Sequence, residues 1–127
     1  MPEFENNERL FRKIPNLPNY IKEGENGKKI SSAAFKDSLG CSVDRQANRE
    51  REIIHNQFYS RFCNEKSGIA AVADVSFLDC CNVNSIVKET PIDGNPFHCE
   101  IHRSETKIQL SQGQAKRLSD IAKVKFF

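Results

Sequence analysis

The sequence predicts a small α+β domain in which a short, mostly antiparallel sheet is packed by two helices. Three observations carry that expectation. A chain of 127 residues is the length of one ordinary domain and can bury a single core. Short runs containing Val, Ile and Phe are separated by Gly, Pro and Asn, as in brief strands joined by tight turns. Two longer stretches, 45–63 and 112–124, instead place apolar residues at helical spacing. One domain covering 1–127 is therefore expected, with residues 1–8 frayed.

In chain order, Arg9–Ile14 alternates loosely and runs into Pro15 and Pro18, which forbid a helix and favour an extended segment anchored by Tyr20 and Ile21. Residues 23–29 read as a polar turn. Ile30–Lys36 and Cys41–Asp44, joined by Asp37-Ser38-Leu39-Gly40, fit a β-hairpin. Asp44 then stands before the first helical pattern, where a carboxylate accepts orphan amides and complements the helix dipole. Within 45–63, Ala47, Ile54, Phe58 and Phe62 form the inward stripe. Gly68 suits a left-handed turn. Ile69–Leu78 is strand-like, 79–84 a connection, and Ser85–Thr90 a strand stopped by Pro91. Asp93-Gly94-Asn95-Pro96 is a turn signal. Thr106–Leu110 reads as extended. Ser111-Gln112-Gly113-Gln114 has the S-x-x-Q form of a capping box, opening a helix that turns Ala115, Leu118, Ile121 and Ala122 inward. The final Phe126-Phe127 either docks on the body or marks a partner surface.

A net charge of +2, balanced along both halves, gives no strong field for DNA, RNA or an anionic membrane. No apolar run approaches a membrane span, and the acidic first residues do not suit a secretory signal. The five cysteines are odd in number and include the adjacent pair Cys80-Cys81, which predicts reduced thiols in a cytoplasm. Cytoplasmic localisation without membrane association is the expectation.

Reactive polar groups are densest in Pro91–Arg103, which holds His98, Cys99, Glu100 and His102. The H-x-E element at His98–Glu100 lacks the downstream P-C-x-x-C of the zinc deaminases. His98 and His102 would share one helix face, yet no H-E-x-x-H motif is present. As a strand, 97–103 places His98, Glu100 and His102 on one face and Phe97, Cys99 and Ile101 on the other. The strand is the preferred reading, and over about 13 Å its two imidazoles do not meet at one metal. A mixed zinc site from Cys80, Cys81, Cys99 and His98 or His102 lacks paired C-x2-4-C ligands. No metal and no cofactor is expected. Phosphate-cradling and nucleophile-elbow motifs are also absent from the sequence. Arg45 and Arg49, four apart, would face a phosphate from one side of a helix or lie on a solvated face.

Four blocks occur in order: Arg12-Lys13-Ile14-Pro15, Ser31-Ser32-Ala33-Ala34-Phe35-Lys36, Ser42-Val43-Asp44-Arg45, and Asn95-Pro96-Phe97-His98-Cys99-Glu100-Ile101. The combination resembles a scattered group of small single-domain bacterial proteins with SSAAFK, SVDR and NPxHxxI blocks. That group carries no established activity. The resemblance implies that Asp44, Arg45, Asn95 and His98 belong together, at element ends where sites tend to lie.

The expected function is a bacterial cytoplasmic binding or accessory protein acting within a larger assembly, with a protein partner. The alternative is a small enzyme or toxin-like effector acting on a nucleotide or nucleic acid. In it Arg45 holds phosphate and His98 is the acid/base, oriented by Glu100 or Asp44. Arg45, Asn95 and His98 are the candidate binding residues.

Overall fold

The structure, a computed structural model, describes residues 1–127. Eight strands and three helices follow one another as β1 Arg9–Ile14, β2 Ile21–Gly24, β3 Gly27–Ile30, β4 Cys41–Arg45, α1 Arg51–Phe62, β5 Ala71–Ser76, α2 Phe77–Asn82, β6 Ile86–Glu89, β7 His98–His102, α3 Gln112–Ile121 and β8 Lys123–Phe126. Six strands form an antiparallel sheet in the order β6-β7-β4-β1-β5-β8, and β2-β3 is a separate hairpin. The expected α+β class with a mostly antiparallel sheet is what the chain adopts. No helix is long and apolar enough to cross a membrane.

Strand alternation divides the core between the two faces of the sheet. On one face Leu10, Ile14, Val43, Ala73, Val75, Cys99 and Ile101 meet Phe35, Ala115 and Leu118 from a 3₁₀ turn at Ser32–Phe35 and from α3. On the other, Phe11 and Val72 pack under Ile54 and Phe58 of α1. α1 covers only the β1/β5 half of that face. Over β4 and β7 the same face carries Ser42, Asp44, His98, Glu100 and His102, and Ser42 is exposed. This polar half-sheet positions the site.

Several local expectations give way. The hairpin lies at 21–30 rather than 30–44, because Ser32–Phe35 coils into the 3₁₀ turn and feeds Phe35 to the core. The first helix begins at Arg51, not at 45. Ala47 and Asn48 take left-handed backbone at φ 49° and 64°, so 46–49 is a turn and Asp44 and Arg45 belong to β4. Asp44 is therefore no N-cap. Residues 77–82, read as part strand and part connection, form α2 under a complete Ser76/Asp79 capping box. Residues 106–110 form no strand. The last helix ends at Ile121, which is exposed rather than inward, and Lys123–Phe126 continues as edge strand β8. Of the start expected to fray, Phe4 stacks on Phe77 and Glu8 pairs with Arg45.

Candidate functional site

β4 and β7 pair so that Asp44 lies opposite His98. β1 and β4 share only the pairs Leu10–Arg45 and Phe11–Asp44 before they diverge. Arg12 bridges the opening, donating from Nε to the Ala34 carbonyl and from Nη1 to the Ser42 carbonyl. The divergence leaves room above β4 for side chains from α1 and from the 92–97 turn.

Asp44 is only 5% exposed. Its Oδ1 accepts from Asn95 Nδ2 at 2.9 Å and its Oδ2 from Arg61 Nη1 at 2.8 Å. Asn95 is fixed in turn: its Oδ1 accepts from the Phe97 amide, and its backbone pairs with Ile92 across the tight turn in which Gly94 sits at φ 81°. A buried carboxylate is tolerable there because both oxygens have donors, one of them charged.

His98 is half-buried. Its Nδ1 lies 2.9 Å from both the carbonyl and the hydroxyl of Thr90. A carbonyl only accepts, so Nδ1 carries a proton, and in the neutral tautomer this fixes, the lone pair is at Nε2. Nε2 has no protein partner and is not sealed from solvent, and the ring lines a cleft.

That cleft, of about 480 Å³, is walled by Arg12, Tyr20, Ser42, Phe58 and Phe62 as well as His98. A second cleft of about 540 Å³ lies between α1 and the Gly94–Phe97 turn, with Arg49, Asn56, Gln57 and Ser60 on its helix side. Asp44 and Arg61 line both, so their ion pair stands where the two clefts meet. Arg49 is held against Phe97, its guanidinium 3.7 Å from the ring centroid. It donates to the carbonyls of Gln46 and Arg45 and to Gln57 Oε1. Burial holds its pKa below the ordinary arginine value, Asp44 opposes that shift, and nearby Arg61 adds to it.

The structure brings Asp44, Asn95 and His98 together and turns Arg45 away. Successive strand residues face opposite sides, so Arg45 enters the other face. There it is 2% exposed, paired with Glu8 at 2.7 Å and with Glu89, and stacked on Phe4. Arg45 as a phosphate contact is thus a correction: its guanidinium is committed to Glu8 and Glu89, with one N–H left over on each Nη, and it points away from the clefts that His98 and Asp44 line. Arg45 and Arg49 do not share a helix face, since neither lies in α1. Glu100 does not orient His98 either. Its Oε1 binds His102 Nε2 at 2.8 Å, and Asp44 is held by Asn95 and Arg61, which leaves Thr90 as the orienting group.

All five cysteines are free thiols, and no three His, Cys, Asp or Glu side chains converge in a metal-holding arrangement. Burial raises the Cys99 thiol to about 11, the neighbouring Arg45 opposing, which keeps it protonated and unreactive at neutral pH. Sequence reasoning missed Arg61 and Thr90. Neither has a local signal, because each acts through a partner brought near by strand pairing or helix packing. Comparison with protein-family models, with curated proteins and with solved structures finds no match for this chain.

Proposed function

We propose that the protein is a bacterial cytoplasmic accessory protein that binds a protein partner within a larger assembly, through the joined clefts beside Asp44. The supporting observation is the half-sheet over β4 and β7, which α1 leaves uncovered although its side chains are held in fixed positions. Ile53 and Ile92 stand at its margins, 48% and 54% exposed. A rigid polar floor with apolar rims suits a partner that contributes both contact area and hydrogen bonds. The bacterial and cytoplasmic parts of the reading rest on the block resemblance and on the cysteine pattern.

The test is co-elution of the purified chain with the product of an adjacent gene on size exclusion. Complex formation that survives His98→Ala and is lost in Ile53→Asp or Ile92→Asp is the expected result. A free monomer with His98-dependent turnover overturns the reading.

One observation favours a second reading, the small effector acting on a nucleotide or nucleic acid. His98 Nε2 is free in the cleft while Thr90 fixes its tautomer, which is how a general base is held. In that reading Arg61 takes the phosphate role once assigned to Arg45. Turnover of nucleotide or oligonucleotide that vanishes in His98→Ala supports it, and its absence across both classes removes it.

A further inference from the structure

Arg49 stands apart from the other buried and half-buried arginines, and from the more exposed Arg61 beside it. Arg9, Arg12, Arg45, Arg51 and Arg61 each have a carboxylate within 4.0 Å, and Arg49 has none. Its guanidinium is nevertheless fixed by three hydrogen bonds and the Phe97 ring. Those bonds use one N–H on each nitrogen, so each Nη retains one free donor. Arg61 uses a single N–H, on Asp44. Asp44, Arg49 and Arg61 are the only charged residues lining the α1-side cleft. Two guanidiniums against one carboxylate leave one net positive charge in a pocket whose lining residues are mostly polar side chains.

Resting on the reading of this cleft as the partner surface, we infer that it recognises a carboxylate, presented by an acidic segment of the partner protein and clamped between Arg49 and Arg61. One negative charge neutralises the surplus, and charge-assisted hydrogen bonds from one fixed and one mobile guanidinium give it direction. The remaining wall supplies the unpaired Asn56 amide and the Gln57 amide N–H groups, which offer donors and an acceptor to peptide groups. A nucleic-acid phosphodiester carries the same charge but fits less well. Recognition of single strands depends on aromatic faces for the bases, and the one ring lining this cleft, Phe97, already bears Arg49. Arg49 is the fixed half of the clamp. Arg61, pivoting from the exposed side of α1, is the half that exchanges Asp44 for the incoming carboxylate.

The experiment is an NMR titration of the full chain with an acetylated, amidated tri-glutamate peptide, alongside its tri-glutamine counterpart and a dinucleotide with one phosphodiester. Tri-glutamate shifts the Arg49 and Arg61 side-chain Nε–H signals and the Gly94–Phe97 amides, and tri-glutamine leaves them in place. Arg49→Gln weakens the response by about tenfold or more, as loss of a charge-assisted bond predicts. Because Arg49 also braces the 46–49 turn, Ser60→Glu provides an independent variant. It places a carboxylate in the cleft from an exposed helix position, and it abolishes peptide binding while the rest of the spectrum is retained. Equal shifts with tri-glutamine, no shifts at Arg49, or tighter binding of the dinucleotide each overturn the inference. Failure here separates from failure of the partner reading. Arg49→Gln protein that co-elutes undiminished with its partner removes the carboxylate clamp alone. Tri-glutamate binding by a chain that forms no complex removes the partner reading alone.

Discussion

Glu8 shows how much of this protein is decided by single charged groups. Its carboxylate accepts from Arg45 Nε at 2.9 Å, from Arg45 Nη2 at 2.7 Å and from the Ala47 amide at 3.1 Å. Burial alone would raise its pKa, but the Arg45 hydrogen bonds, the Ala47 amide and the Arg45 charge outweigh it and leave the pKa lowered. A depressed native pKa means that the unfolded chain binds the proton more readily. The stabilisation is therefore complete above the unfolded value and is lost as pH falls through the native one. Urea unfolding of the wild type should accordingly show stability falling below about pH 4.5, and Glu8→Gln should flatten that segment of the profile while lowering stability at pH 7. An unchanged acid slope in Glu8→Gln would mean that the pair is not what the low pH breaks. Arg45 itself was misread from sequence for a physical reason. Gln46-Ala47-Asn48-Arg49-Glu50 is a good helix-forming run, and nothing local reveals that Ala47 and Asn48 turn left-handed to satisfy Glu8 and Gln46. His98 was more legible, because the alternation of 97–102 already placed it opposite the buried Cys99 and Ile101.

Among elements, legibility followed how local the determining interaction is. The Ser111/Gln114 capping box was visible as a pattern and is complete in the structure, with bonds of 3.2 Å and 2.9 Å. Residues 71–76 and 98–102 are strands, as preferred from their residues, although the alanine-rich start of the first and the i, i+4 histidines of the second also suit a helix. α2 was not legible, since six residues hold too little periodicity to distinguish a helical turn from a connection. β8 was hidden because Lys123–Phe126 prolongs the helical stripe, and only pairing with β5 makes it a strand. The β4 entry turn offers a test at this scale. Gly40 sits at φ 123°, and a Cβ there would lie 2.5 Å from Glu100 Oε1. Gly40→Ala should destabilise by about 1–3 kcal/mol, the usual cost of backbone held in a region that L-residues avoid. Glu100 can swing aside, at the expense of its bond to His102. In a Glu100→Ala background the cost should therefore shrink without vanishing, because the backbone strain remains when the clash is gone. A double-mutant cycle by urea denaturation measures the difference. A neutral Gly40→Ala would show that this turn adapts freely and that β4 does not depend on it.

At the scale of the whole molecule, the sheet order β6-β7-β4-β1-β5-β8 is set by pairings between distant segments, which no window of sequence displays. The first eight residues tie several of those pairings together. The Asn6 and Glu8 carbonyls accept from Leu78 and Phe77 at the start of α2. Phe4 stacks on Phe77 with ring centroids 5.0 Å apart, and the Arg45 guanidinium lies 4.0 Å above the Phe4 ring. This strap joins the β5–α2 corner to β4, two strands away across β1, and its Glu8 neutralises the most buried cation in the chain. Removing residues 1–8 strips Arg45 of the partner that seals it and leaves only the more exposed Glu89. Breaking a buried pair from one side costs about 3–5 kcal/mol, a large share of the stability of any small domain. For a chain of this length that corresponds to a fall in Tm of roughly 10–20 °C. The loss should come mainly from the stranded charge rather than from missing apolar contact. Arg45→Met introduced into the shortened chain should therefore recover part of it, although the same substitution in the full chain destabilises by orphaning Glu8. Calorimetry on the four proteins decides the matter. If Arg45→Met is as harmful without the strap as with it, the strap acts by packing alone and the charge account fails.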